Sequence, residues 1–331
     1  LKKGRFFNYK TLLGFLVSLL GLYLGFRKFD GAAFLDSMAK ANLALYALAM
    51  VIMIFTIFLR AWRWQYLVRP LKKIPMKDMF AADMICYFGN NVFPLRLGEI
   101  LRCYALSKVS GLSAVSIFGT VVLERLLDTI VFAVILILSA LIFPGMPSWI
   151  RLSTWGAIIF VVIFLILFYI IRAKQVKLMD FVKQRLRFLS VGRFGRIFDH
   201  FVDGILTLRA TPHLGLLTLQ SIVIWGISIF VFWLVGVSLN IYFSMENLAL
   251  LFIVTSAIIS VPAAPGYVGT YHAGAIGVLM LLGYDLTASQ TLAVLLHAVG
   301  FISLTVIGLI YFLKYNVNIN EATNLNTVKS K

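Results

Sequence analysis

Six stretches of this chain, near residues 11–26, 43–62, 113–143, 155–171, 214–236 and 287–313, are apolar for long enough to cross a lipid bilayer. A hydrocarbon core of about 30 Å needs about 20 apolar residues in a helix, and the first stretch lies at the short end of that range. Composition agrees, because 61% of residues are hydrophobic and only 13% charged, against about 25% charged in soluble domains. The expected fold is an all-α polytopic membrane protein of one domain.

The charged residues then set a topology. Lys and Arg number 30 against 13 acids, a net charge of +17. In such a chain this excess marks cytoplasmic loops, and no groove-reading motif points to nucleic acid. Bases crowd the segment after the second run, at Arg60, Arg63, Arg69, Lys72, Lys73 and Lys77, and the segment 172–210 after the fourth. The loop 144–154 carries only Arg151 and the loop 237–247 carries none. Lys2, Lys3, Arg5 and Lys10 place the N-terminus inside. They could also imitate a signal peptide cleaved after Gly31-Ala32-Ala33, but an uncleaved first span fits the later topology. A cytoplasmic membrane location with both termini inside is expected.

Two segments then have to enter and leave on one side. Residues 79–110 start and end inside, while 248–283 start and end outside, so each is expected to be a re-entrant hairpin. The alternative is a pair of kinked helices that cross fully. The order span, span, hairpin, span occurs twice with opposite orientation, which predicts an inverted repeat of 1–150 and 151–331. Interrupted segments at matching places in two inverted halves point to a transporter's binding site. Residues 172–210 also carry apolar positions at helical spacing among many basic ones, which suits a helix lying on an anionic leaflet or an ordinary positive-inside loop.

The first break reads "NNVFPLRLGE". Backbone freed by Pro94 and Gly98 is admissible at membrane depth only where it is buried in protein or lines a wet cavity. Asn90 and Asn91 can pair with it. Arg96 and Arg102 offer donor forks for a phosphate or carboxylate, with Glu99 as their resting counter-ion. In "ERLLD", Glu124 and Asp128 share a helix face and need a cation or a shared proton between them. Arg125 is expected to point elsewhere, so Arg96 or Arg102 is the expected partner, in a functional site or in an ion pair that only holds hairpin to helix. The second break contains Pro262, Pro265, Gly266 and Gly269. Thr270 and His272 then begin a half-helix whose N-terminus would face an anion. His297, in the last run, is either a transport residue or an interhelical hydrogen-bonding group. Cys86 and Cys103 suit packing, and no metal or cofactor is expected.

Three ordered motifs run through these residues: N-N-x-x-P-x-R-x-G-E-x-x-R from Asn90, E-R-x-x-D from Glu124, and P-G-x-x-G-T from Pro265. Together they resemble the transmembrane region of lysylphosphatidylglycerol synthases, over nearly the whole chain. The resemblance implies lipid translocation, a role best established where this region is fused to an aminoacyl-transferring domain. It places Asn90, Asn91, Pro94, Arg96, Gly98, Glu99 and Arg102 in the first motif, Glu124, Arg125 and Asp128 in the second, and Pro265, Gly266, Gly269 and Thr270 in the third. One departure is His272, where the family commonly has an acid. The chain ends in a polar tail with no soluble domain, so a stand-alone member is expected and aminoacyl transfer is not, while Leu1 in place of Met leaves open a piece of a longer protein.

The expected function is therefore flipping of an anionic phosphate-bearing lipid, a membrane phospholipid or a polyprenyl-phosphate-type lipid, through a polar cavity between inverted repeats. An intramembrane transferase using Glu124 or Asp128 as base is the alternative, although neither HExxH nor an aspartate-rich metal motif is present. A third reading is a scaffold for a lipid-modifying enzyme. No catalytic residue is expected.

Overall fold

A computed structural model describes residues 9–173, 214–260 and 264–323. Residues 1–8, 174–213, 261–263 and 324–331 lie outside the described residues, and with them most of the expected basic segment 172–210 and Pro262. Twelve helices run through the described residues. They are α1 (Tyr9–Phe26), α2 (Gly31–Ala39), α3 (Leu43–Val68), α4 (Met76–Val92), α5 (Gly98–Ser110), α6 (Ala114–Ile142), α7 (Ser148–Ala173), α8 (Leu214–Ser238), α9 (Met245–Ser260), α10 (Thr270–Leu281), α11 (Leu286–Lys314) and α12 (Ile319–Thr323). Strands are absent from the described residues. The fold class is the expected one.

Five helices, α3, α6, α7, α8 and α11, are long and apolar enough to cross a membrane. The shortest of them, α8, has 25 residues, which at 1.5 Å per residue exceeds a core of about 30 Å. The first apolar stretch forms α1, with 18 residues. Their apolar side chains are widely exposed, as in Leu141 (75%) and Leu165 (55%), which is the surface that lipid would cover. The connection after α1 is not plain loop. It contains α2, started by Asp30, whose carboxylate accepts from the N–H groups of Ala32 and Ala33 at 3.0 Å as an N-cap does.

The chain forms two compact units. The first combines Leu1–Arg60, Phe80–Arg102 and Val223–Asn316, and the second Ala61–Met79, Cys103–Ile222 and Val317–Lys331. Each unit draws on both sides of residue 150, so compactness follows a different partition from the expected repeat.

In the first unit, close packing rests on small residues. Gly21 and Gly25 lie four apart on α1, and a Cβ on Gly21 would stand 2.8 Å from the Gly269 carbonyl oxygen. Such a small-x-x-x-small pair lets backbones approach in lipid, where no hydrophobic effect draws helices together. Gly308 of α11 serves similarly against the backbone of Met84 in α4. Ile57, Met84 and Leu304 form a buried core there, flanked by Phe80 and Tyr311. In the second unit, Trp64 is fully buried and its indole N–H donates to Thr120 Oγ1 at 2.9 Å. Lys72 reaches the Ser110 carbonyl at 2.6 Å, and the Tyr104 hydroxyl holds Glu321 of α12 at 2.5 Å.

Candidate functional site

Helix α4 stops because of its sequence. Phe93 is extended at φ −105 and ψ 147, as a residue before proline prefers, and Pro94 has no N–H to continue the ladder. Leu95 and Arg96 then take φ 60 and 56, a left-handed path that costs a non-glycine residue roughly 1–3 kcal/mol. The chain reverses. Arg102 Nη1 lies 2.7 Å from Asp83 Oδ1, 19 residues earlier, whereas a straight helix would separate the two by about 28 Å. Segment 79–110 is a hairpin. Its arms touch at glycines, since a Cβ on Gly89 would stand 2.6 Å from the Gly98 Cα, and one on Gly98 would strike the Cys86 carbonyl.

The second break repeats this path. Pro265 is followed by Gly266 at φ 63 and Tyr267 at φ 57, and Gly269 at φ 94 leads into α10. Both breaks thus read Pro-x-x-x-Gly, in "PLRLG" and "PGYVG", with the two residues after the proline left-handed. α9 and α10 fold back on each other, because Gly274 packs directly on Ile258. Both breaks lie within the first unit, where they meet. Asn91's backbone carbonyl faces Gly266, and Arg96 lies over the Tyr267 ring with its guanidinium carbon 5.9 Å from the centroid.

The freed backbone groups are satisfied locally. The Gly98 N–H donates to Asn90 Oδ1 at 3.0 Å, which caps α5. Asn91 Nδ2 donates to Thr305 Oγ1 at 2.8 Å, pinning the first break to α11. His297 Nε2 lies 2.7 Å from the Gly266 carbonyl, and because a carbonyl only accepts, that nitrogen carries the proton. His272 Nδ1 accepts from the Gly269 N–H at 3.4 Å. Thr270 Oγ1 donates to the Tyr267 carbonyl at 3.1 Å. These five expected site residues therefore hold the breaks in shape. The N-terminus of α10 is capped by His272 and covered by Ser18 of α1, so it is not the open anion site expected.

The ion pairs include a partner that the sequence did not suggest. Glu124 and Asp128 meet a basic residue counted above only as a topological charge. Their partner is Arg63 of α3, whose Nη2 lies 3.3 Å from Glu124 Oε1 and whose Nη1 lies 2.7 Å from Asp128 Oδ1. Arg63 is fully buried and also donates to Ser221 Oγ at 2.8 Å. The second unit brings these four residues together because one face of α3 packs its only buried guanidinium against the acidic face of α6. Arg125, expected to point away, stands 3.6 Å from Asp128 Oδ2 on the opposite side. Arg102 is taken up by Asp83 and by Glu99, at 2.7 and 3.1 Å. Glu99 is thus a counter-ion of Arg102. Sequence reasoning missed Asp83, although a carboxylate inside "FAADMICYF" is itself a signal at membrane depth. It also missed Tyr267, and counted Arg63 only as a topological charge.

Arg96 stands apart. It is half-buried, its Nη1 reaches only the Ser260 carbonyl at 3.4 Å, and it has no carboxylate within ion-pair distance among the described residues. No group of three or more potential metal ligands occurs among them.

Long apolar helices and two folded-back half-helix pairs meeting at proline breaks define a multi-pass α-helical membrane protein with broken-helix hairpins. The chain belongs to the lysylphosphatidylglycerol synthase TM region family, whose model matches residues 11–308. It is 26% identical to the UPF0104 membrane protein MJ1078 of Methanocaldococcus jannaschii, over 68% of this chain and 93% of that one. It is 21% identical to a UPF0104 membrane protein of Methanothermobacter thermautotrophicus, over 82% of this chain and 83% of that protein. No solved structure matches.

Proposed function

We propose that the protein translocates an anionic, phosphate-bearing lipid across the cytoplasmic membrane, with the headgroup taken at the junction of the two breaks and Arg96 as its principal contact. The observation that carries this reading is the contrast between two buried arginines and the half-buried Arg96. Arg63 and Arg102 each meet two carboxylates, while Arg96, at the meeting point of the hairpins, meets none among the described residues. A guanidinium held at membrane depth without a carboxylate is costly unless an anion visits it. The two hairpins belong to the two expected repeats, so movement of one repeat against the other would open the junction to one leaflet and then the other. The basic loops support a cytoplasmic side for both termini. Transferase chemistry gains no support, since Glu124 and Asp128 are both held by Arg63 and neither is poised as a free base.

The test uses purified protein in phosphatidylcholine vesicles containing a trace of acyl-labelled phosphatidylglycerol. Dithionite reduces label only in the leaflet it reaches. Wild type should render the inner pool reducible, and Arg96→Ala should leave it protected while keeping the wild-type melting temperature. Equal movement of an acyl-labelled neutral glycolipid by wild type and Arg96→Ala would overturn the assignment.

A further inference from the structure

Arg96 and Tyr267 hold the same place in two different hairpins. Each is the second residue after the proline of its break, each stands in the left-handed region, at φ 56 and 57, and neither is glycine. Strain kept at matching positions of two breaks, in residues that touch each other, points to a use for the pair. The contact is of a particular kind. The Arg96 guanidinium lies over the face of a buried ring, an arrangement that attracts a cation through the ring quadrupole and, beyond the long Nη1 contact to the Ser260 carbonyl and a contact with the Tyr267 hydroxyl, leaves its other N–H donors open. A carboxylate partner would consume them, as Asp83 and Glu99 do at Arg102.

The ring is itself fixed. The Tyr267 N–H donates to the Ala264 carbonyl at 3.0 Å, its carbonyl accepts from Thr270, and the preceding Gly266 is held by His297. Resting on the reading that Arg96 meets a phosphate, we propose that Tyr267 is its positioning residue: the ring face supports the guanidinium from the second hairpin while the in-plane N–H fork stays available to two phosphate oxygens. Headgroup affinity then depends on the hairpins being together. When they separate, the arginine loses its support and the lipid is released.

The experiment measures initial rates of acyl-labelled phosphatidylglycerol movement against lipid fraction in proteoliposomes of the full chain. Tyr267→Phe and Tyr267→Trp keep a face and should stay close to the wild-type apparent KM. Tyr267→Leu should raise it roughly five- to thirtyfold, the range of a cation–π contact moving from partly to well desolvated, with Vmax little changed. In an Arg96→Ala background, Tyr267→Leu should add nothing to the loss of binding of sn-glycerol 3-phosphate, followed by tryptophan fluorescence. Tyr267→Met replaces Tyr267→Leu if the leucine variant melts early. A wild-type KM in Tyr267→Leu, or a Tyr267→Phe as impaired as Tyr267→Leu, would overturn the role of the ring face. Absence of lipid movement by wild type would instead sink the translocation reading, so the two failures are distinct.

Discussion

At the first break Pro94 is followed by Leu95 and Arg96 in left-handed geometry, and at the second Pro265 is followed by Gly266 and Tyr267 in the same geometry. Each ends on a glycine pressed against another backbone, Gly98 on Cys86 and Gly269 on Ser18. The chemistry around these matching paths is very different. The first hairpin carries Asp83, Arg96, Glu99 and Arg102, whereas residues 264–281 contain no Asp, Glu, Lys or Arg. Among the described residues the second break's own holding groups carry no carboxylate, guanidinium or ammonium, His272 and His297 among them, and the one charge that reaches it is Arg96 of the first break. A proline break in a membrane hairpin therefore needs hydrogen-bonding partners, not charges. The charges of the first hairpin require separate explanations: Arg102 clamps its two arms together, and Arg96 is the residue proposed to meet the ligand.

The largest effects test whether the two hairpins are true counterparts. Single cysteines at Lys77 and Lys108 should both react from the cytoplasmic side with an impermeant maleimide, and those at Glu246 and Asp285 both from the outside. This outcome is all or none. Reaction of either pair from opposite sides would break the inverted repeat and leave only a shared local path. Next come the two arginines of the first hairpin. Arg102→Gln strands the buried Asp83 and the partly buried Glu99 and should cost about 3–5 kcal/mol, seen as a large loss of melting temperature in detergent. Arg102→Gln with Asp83→Asn should cost less than the sum of the two changes. Arg96→Gln, with no carboxylate to strand, should stay within about 0.5 kcal/mol of wild type. If it destabilised as much as Arg102→Gln, the separation of clamp from ligand contact would fail.

The glycines should rank in the same direction. A Cβ at Gly98 meets backbone of its own hairpin on the facing arm, so Gly98→Ala has to part α4 from α5. Overpacking of this kind typically costs about 1–3 kcal/mol. At Gly266 the nearest obstacle is the Phe301 ring, at 2.5 Å from the added atom, and a ring can turn. Gly266→Ala then pays mainly for its φ of 63, about 1–2 kcal/mol. A larger loss at Gly266 than at Gly98 would mean that α11 grips the second break more firmly than the first hairpin grips itself.

The elements were legible because the bilayer makes them so. Apolar runs of membrane length predicted α6, α8 and α11 to within about two residues at each end, while α3 runs further at its C-terminus and α7 further at its N-terminus than their runs, and Pro94 and Pro265 marked both breaks. Pairing was not legible. Glu124 and Asp128 announced the need for a cation, but many basic residues could have answered, and which one does depends on how α3 rotates against α6. Arg63 sits between Trp62 and Trp64 inside an apolar helix, a setting that argues against a loop charge. The cover over α10 was hidden similarly, although Gly21 and Gly25 on one face of α1 are the signature of close helix approach. Sequence spacing shows which residues share a face of one helix. It does not show which helix that face meets.

The smallest predicted difference separates the two caps. Asn90 Oδ1 accepts from the Gly98 N–H at 3.0 Å, while His272 Nδ1 accepts from the Gly269 N–H at 3.4 Å. The first distance is ordinary for N–H···O and the second is long, so the second bond contributes less. Asn90→Ala removes the cap of α5 and should cost about 1 kcal/mol. His272→Phe keeps a ring against Phe26 and His297, with which His272 now makes edge contacts at 5.7 and 4.8 Å between centroids, and removes only the longer bond. Its cost should be smaller, within a few tenths of a kcal/mol on the same scale. Thermal unfolding of both variants in one detergent decides the order. If His272→Phe proved the costlier change, the imidazole would be supplying more than a weak cap, and the second break could no longer be treated as the neutral counterpart of the first.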